Sequence, residues 1–271
     1  MSCAIQVESL KKSYGSRTVL KDVSFCVEQG EIFALLGVNG AGKTTVLECV
    51  EGLRRYDGGR VFINGRRGVQ LQSATLPAHI RPMEAVKLFA KWRKALVDQE
   101  MLEALEIPQM GKKQYGQLST GQKRRLHLAL ALTGDPDILF LDEPTAGLDV
   151  EGRRSLHGQI RALQARGKTI VLASHDMAEV ESLCSRIGIL NGGVVSFCGT
   201  VAQLTQKVGR QYTIRAVTGQ GEERLEVENV EEALLALLQK YQRQDEAILD
   251  LSVSRGTLEQ HFIKLAGRRA Q

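Results

Sequence analysis

The residues best suited to chemistry form one short run, Gly37-Val38-Asn39-Gly40-Ala41-Gly42-Lys43-Thr44-Thr45. It fits Gly-x-x-x-x-Gly-Lys-Thr and lies between an apolar stretch, Ile32 to Leu36, and a segment of helical character from Gly42 to about Val50. Glycines there let the backbone close around phosphates with several N–H groups pointing inward, and a helix N-terminus adds positive potential. Gly37, Asn39, Gly40, Ala41 and Gly42 would supply that backbone. Lys43 would reach the β and γ phosphates, Thr44 would present its hydroxyl to Mg²⁺, and Thr45 would bond the α-phosphate. A second apolar run, Ile138 to Leu141, ends in Asp142-Glu143, which puts two carboxylates where open α/β sheets bind ligands. Asp142 can hold the metal ion, and Glu143 can polarise an attacking water as a general base. An acidic pair in this place also serves as a cap for the next helix, and only the phosphate loop favours the catalytic reading.

These residues need a sheet to present them, and the pattern supplies one. Short β-type runs (Cys3 to Glu8, Glu31 to Leu36, Ile138 to Leu141, Thr169 to Ala173) alternate with helical segments, which is α/β layering around a mostly parallel sheet. Arg60 to Gly65, between Asp57-Gly58-Gly59 and Asn64-Gly65, reads as hairpin material for an antiparallel flap. From about 73 to 131 the pattern is helical, with Met83, Val86, Phe89, Ala90 and Leu96 on one face. The chain makes a fresh start near Thr205. Tyr212 to Val217, a helix over Val230 to Tyr241, a strand over Ala247 to Val253 and a helix over Thr257 to Leu265 would form a small appendage. The expected division is 1–204 and 205–271.

Another short segment, Leu118-Ser119-Thr120-Gly121-Gln122 followed by Lys123-Arg124-Arg125, precedes the Asp142-Glu143 strand. It resembles the Leu-Ser-Gly-Gly-Gln signature of ATP-binding cassette proteins, and the order of motifs over about residues 4 to 200 is similar to that family. The resemblance implies a P-loop NTPase core with an antiparallel flap, an inserted helical subdomain and a C-terminal α/β extension. It implies ATP and Mg²⁺ as ligands and ATP hydrolysis as the activity. Ser119, Thr120, Gly121 and Gln122 would form a second anion site that meets the phosphate loop of another cassette. The departure is Thr120, where glycine is usual, and its β-branched side chain restricts the backbone. Tyr14 matches the residue that stacks on adenine. Gln72 matches the glutamine that touches Mg²⁺ or the attacking water, although Gln70 lies two residues earlier on the same face. Asp149, in Gly147-Leu148-Asp149, matches an interface loop and also suits a helix N-cap. His175 matches the histidine that contacts the γ-phosphate.

The resemblance further implies two cassettes, alike or different, and a separate membrane-spanning permease docked in part on about Thr75 to Trp92. Leu258-Glu259-Gln260-His261-Phe262-Ile263-Lys264-Leu265 is similar to a segment closing the ATPase subunits of ABC-2 type exporters. Of 271 residues, 43% are hydrophobic and 25% charged, as in an ordinary globular protein. The apolar run Leu126 to Leu132 is too short for a bilayer, so the expected location is cytoplasmic, held at the inner face of the membrane through the permease. The net charge of +5 is spread in short basic groups between acids, so no nucleic acid is expected as a partner. Five cysteines without a C-x-x-C pair read as small hydrophobes or bystanders. Neither the long heptads of DNA-repair relatives nor the tandem cassettes of translation factors are present, and Glu143 argues against a module that does not hydrolyse.

Overall fold

The computed structural model describes residues 3–38, 40–70, 75–174, 176–208 and 212–255. Two units result, Met1–Cys198 and a second beginning at Gly199. In the first, a nine-stranded mixed sheet is assembled from β1 (Cys3–Tyr14), β2 (Arg17–Glu28), β3 (Ile32–Leu36), β4 (Gly58–Ile63), β5 (Arg67–Gln70), β6 (Ile138–Asp142), β7 (Thr169–Ala173), β8 (Arg186–Asn191) and β9 (Val194–Gly199). Their spatial order is β4-β1-β2-β9-β8-β3-β7-β6-β5. Every residue of β3, β6 and β7 is buried, because a parallel strand covered on both faces has no wet side. These strands lie side by side in parallel register, Leu35 opposite Ala173 and Asp142 opposite Ala173, which brings the chain ends that follow them to one edge.

The antiparallel flap differs from a local hairpin. β4 pairs with β1, Ile5 opposite Ile63, whereas β5 crosses to the far edge and pairs in parallel with β6. Arg60 to Gly65 therefore does not fold back on its own neighbour. Asp57 ties the flap together: Ser13 N–H donates to Asp57 Oδ2 at 2.6 Å and Lys12 Nζ to Oδ1 at 2.8 Å. Cys3 and Cys26 form a disulfide with Cα atoms 6.2 Å apart, which corrects the reading of these two cysteines as bystanders.

Helix α1 (Lys43–Glu51) packs under the sheet through Val46, Leu47 and Val50. Between β5 and β6 come α2 (Pro82–Trp92), α3 (Gln99–Ala104), two single 3-10 turns and α4 (Thr120–Leu132). The second half of α4 is buried all round, which explains its uninterrupted Leu/Ala run. After β6, α5 (Val150–Ala165) buries Leu156 and Ile160, and α6 (Met177–Leu183) leads to β8. In the second unit, α7 (Val201–Val208) precedes a sheet ordered β11-β10-β12, from β10 (Tyr212–Thr218), β11 (Gly221–Val227) and β12 (Ile248–Arg255). One face of it meets α8 (Val230–Arg243) through Ile214, Ala216, Leu237 and Tyr241. The Leu258 to Leu265 segment and the helix expected over Thr257 to Leu265 lie outside the described residues.

Candidate nucleotide site

The loop after β3 is shaped by close approach. A Cβ at Gly37 would stand 2.8 Å from the Leu190 carbonyl oxygen and 3.0 Å from Ala41 Cβ, so no other residue fits without moving backbone. Gly42, at φ 102°, caps α1 and has no side chain to engage the first N–H groups of the helix. Those donors and the helix dipole face the loop, the arrangement an anion needs. Lys43 Nζ donates to the Gly37 carbonyl at 2.7 Å, spanning the loop it belongs to. Burial pushes its ammonium pKa down, while Glu143 and Asp142 pull it back up. The cluster is thus electrically coupled, with the cation of the loop answering the two acids at the end of β6.

Asp142 is 8% exposed, and its carboxyl is pushed above the usual range by burial first and by the charge of Glu143 second, with Lys43 opposing. Glu143 has a left-handed backbone, φ 50°, fixed where its N–H donates to Ala173 O at 2.9 Å and its carbonyl accepts from Ala146 N–H at 3.2 Å. A glutamate held in that region marks a place where geometry outranks backbone comfort, a trait of working sites. Gly40, Gly42, Lys43, Thr44, Thr45, Asp142, Glu143 and Tyr14 line one cleft of ≈ 470 Å³. Arg17 and Val19 line it too and were not foreseen; they stand on β2, and only its pairing with β1 brings them beside Tyr14. The Tyr14 ring is 40% exposed, with the Arg54 guanidinium 5.3 Å from its centre. A flat π-face at the mouth of a phosphate cradle suits a nucleobase.

Ser119, Thr120 and Gly121 line a different cleft of ≈ 540 Å³ with Gly147, Leu148 and Asp149, and it shares no lining residue with the first. Ser119 caps α4: its Oγ accepts from Gln122 N–H at 3.3 Å, and Gln122 Oε1 accepts from Ser119 N–H at 3.1 Å. The Thr120 methyl approaches Gly147, where an added Cβ would stand 3.5 Å from Thr120 Cγ2. Asp149 caps α5 by accepting from Gly152 N–H at 2.8 Å, so its capping role holds. Gln70 is buried, and neither polar atom of its amide has a hydrogen-bond partner. Asn39, Gln72 and His175 lie outside the described residues.

An α/β sheet with a glycine cradle opening a helix and an acidic pair closing a neighbouring strand defines a nucleotide-binding ATPase cassette. The family described as ABC transporter matches residues 20–146. The linearmycin resistance ATP-binding protein LnrL of Bacillus subtilis (strain 168) is 35% identical over 76% of this chain and 72% of its own length. The Nod factor export ATP-binding protein I of Paraburkholderia xenovorans (strain LB400) is 39% identical over 70% of this chain and 68% of its own. Among solved structures, an ATP-binding subunit of an ABC transporter superposes with a TM-score of 0.67 at 26% identity, covering 75% of this chain and 92% of that one. A nucleotide-free cassette from an ABC transporter gives 0.66 at 21% identity over 73% and 92%, a likeness of fold. The chain belongs to the ABC transporter family, as its ATP-binding, ATP-hydrolysing subunit. Among the described residues no helix is long and apolar enough to cross a membrane.

Proposed function

We propose that this subunit powers export through a separate membrane-spanning permease by closing on ATP against a second cassette, a copy of itself or a different one. The observation that carries the closure is the separation of the two anion-suited clefts: the phosphate loop lines one and the Ser119 turn lines the other. One chain then supplies the cradle and its partner supplies Ser119, Thr120, Gly121 and Gln122, with Asp149 at the interface. The names of the relatives, resistance to linearmycin and export of Nod factor, support the outward direction.

Within the cleft, Lys43 and the N-terminal N–H groups of α1 neutralise β and γ phosphates, Thr45 bonds the α-phosphate, and Tyr14 stacks on the base. Glu143 accepts a proton from the attacking water as general base, and His175 contacts the γ-phosphate. Mg²⁺ fits the donors present, which are hard oxygens: the Thr44 hydroxyl and the Asp142 carboxylate, with Gln72 as a further contact. When bound, Mg²⁺ would neutralise charge developing on the phosphates.

Two measurements test this. Steady-state hydrolysis should fall at least a hundredfold in Glu143→Gln, and equal rates in both proteins would remove Glu143 from the chemistry. Sizing of Glu143→Gln with Mg²⁺-ATP should show a dimer, and monomers at every ATP concentration, even with the permease supplied, would refute closure.

A further inference from the structure

A second large cavity of the first unit lies away from the nucleotide cleft. It measures ≈ 680 Å³ and lies where α2 ends, α3 begins and the chain enters β5, β6 and β7. Asp135 and Pro136, which lead into β6, line it, whereas Asp142 closes the other end of that strand. Five residues of extended chain separate the two sites by roughly 17 Å.

Six basic side chains face this cavity against two acids, Asp98 and Asp135. Asp98 is spent as the cap of α3, accepting from Met101 N–H at 3.0 Å. Asp135 is shared by Lys168 at 2.5 Å and Arg66 at 3.7 Å, and Arg166 pairs with Glu100 outside the cavity. Of the three cations that remain, Arg67 donates Nη1–H to the Glu51 carbonyl at 2.9 Å and acts on the Glu51 carboxyl, which leaves Arg93 and Lys94. Arg93, half-buried at the end of α2, donates Nη1–H to the Thr133 carbonyl at 2.9 Å, and it makes no ion pair among the described residues. Burial alone pushes its pKa down, and no acid offsets the shift. Lys94 beside it, with a left-handed backbone at φ 51°, is likewise in no ion pair among the described residues. A guanidinium drawn out of water toward carbonyls only is costly unless an anion completes it. The rest of the wall is apolar: Met101, Leu132 and Leu163 line this cavity and also a small apolar recess that opens from it.

We propose that this cavity binds an anionic amphiphile, its phosphate or carboxylate head between Arg93 and Lys94 and its apolar body along Met101, Leu132 and Leu163. Planar guanidinium and point-like ammonium together suit a compact oxyanion. The head can belong to a soluble molecule or to a membrane lipid. Because α2 and α4 line the cavity and Ser119 caps the far end of α4, an occupant would bear on the helical insert without touching nucleotide.

Trp92, the only tryptophan in the chain, precedes Arg93 and is 75% exposed, so its emission reports on this corner. Octyl phosphate below its micelle concentration is titrated into the full chain without ATP. A saturable change is expected, with octyl glucoside silent and inorganic phosphate at least tenfold weaker. Lys94→Glu, at the exposed rim, should weaken octyl phosphate at least tenfold with an unchanged thermal midpoint. Arg93→Lys, which keeps the charge and loses the planar fork, should weaken it less. Co-sedimentation with phosphatidylcholine vesicles, with and without phosphatidylglycerol, identifies the source: binding that needs the anionic lipid and Lys94 assigns the head to the membrane, and binding of octyl phosphate alone assigns it to a soluble ligand. Equal affinity for octyl glucoside, or octyl phosphate binding indifferent to both substitutions, overturns the proposal.

Discussion

Glu51 should make this protein lose stability as pH rises, and the size of the loss can be worked out. It is the last residue of α1, 8% exposed, and its Oε2 has no hydrogen-bond partner. Arg67 Nη1–H reaches its backbone carbonyl at 2.9 Å rather than its carboxylate. Burial, then the charges of Asp142 and Glu48, push its pKa from 4.5 to about 7, with Arg67 opposing. The folded value is thus raised above the unfolded one. Between pH 4.5 and 7 the unfolded chain has released this proton while the folded chain retains it, so stability falls through that window and levels off above it. At 1.36 kcal/mol per pH unit the whole effect is about 3 kcal/mol, of which about 2 kcal/mol or more lies between pH 5 and pH 8. Glu51→Gln keeps the shape and cannot titrate. Urea unfolding of both proteins at pH 5, 6, 7 and 8, with unchanged slopes, should show the wild type losing about 2 kcal/mol more than the variant across the series. Parallel curves would show that Glu51 is already ionised at neutral pH and that burial does not govern it.

Three further outcomes follow from contacts described above. Gly37→Ala should cost ~1–3 kcal/mol in urea unfolding and abolish stabilisation by ATP, because its Cβ meets backbone, whereas Gly40→Ala, with open space at φ 81°, should cost only ~1 kcal/mol. Tyr115→Phe should cost ~1–3 kcal/mol by thermal or urea melt, since Tyr115 Oη and His127 Nε2 are 3.0 Å apart in the interior and the ring nitrogen would be left alone. Cys3→Ser should leave the reduced protein nearly unchanged and remove ~3 kcal/mol from the oxidised one, the loop-closure value for a cross-link spanning 23 residues.

Much of the cleft was legible because its demands are local. Gly37 and Gly42 are required by backbone contacts within the loop and its neighbours, and Asp142 sits at the end of a strand whose wholly apolar run announces double-sided burial. The flap was not legible in the same way. In β1 the buried residues run Ala4, Ile5, Val7, Leu10, and in β2 Leu20, Val23, Phe25, Val27, because register shifts break the two-residue period that marks a strand. β2 was therefore missed, and with it Arg17 and Val19 in the cleft and the meeting of Cys3 with Cys26. The pairing of β4 with β1 is non-local, and turn residues around Gly58 and Asn64 carry no record of the distant strand they serve. The capping roles of Ser119 and Asp149 were readable from residue type, and the cleft they share with Gly147 was not.

The ammonium of Lys43 is already engaged, 2.7 Å from the first carbonyl of its own loop. Arrival of an anion is consequently an exchange of partners, and the affinity drawn from this lysine is a difference between two bonds. A small, singly charged anion has little with which to displace that carbonyl. A polyphosphate, meeting several inward N–H groups at once, can do so, and the loop thereby filters its visitors by charge density before any base is recognised.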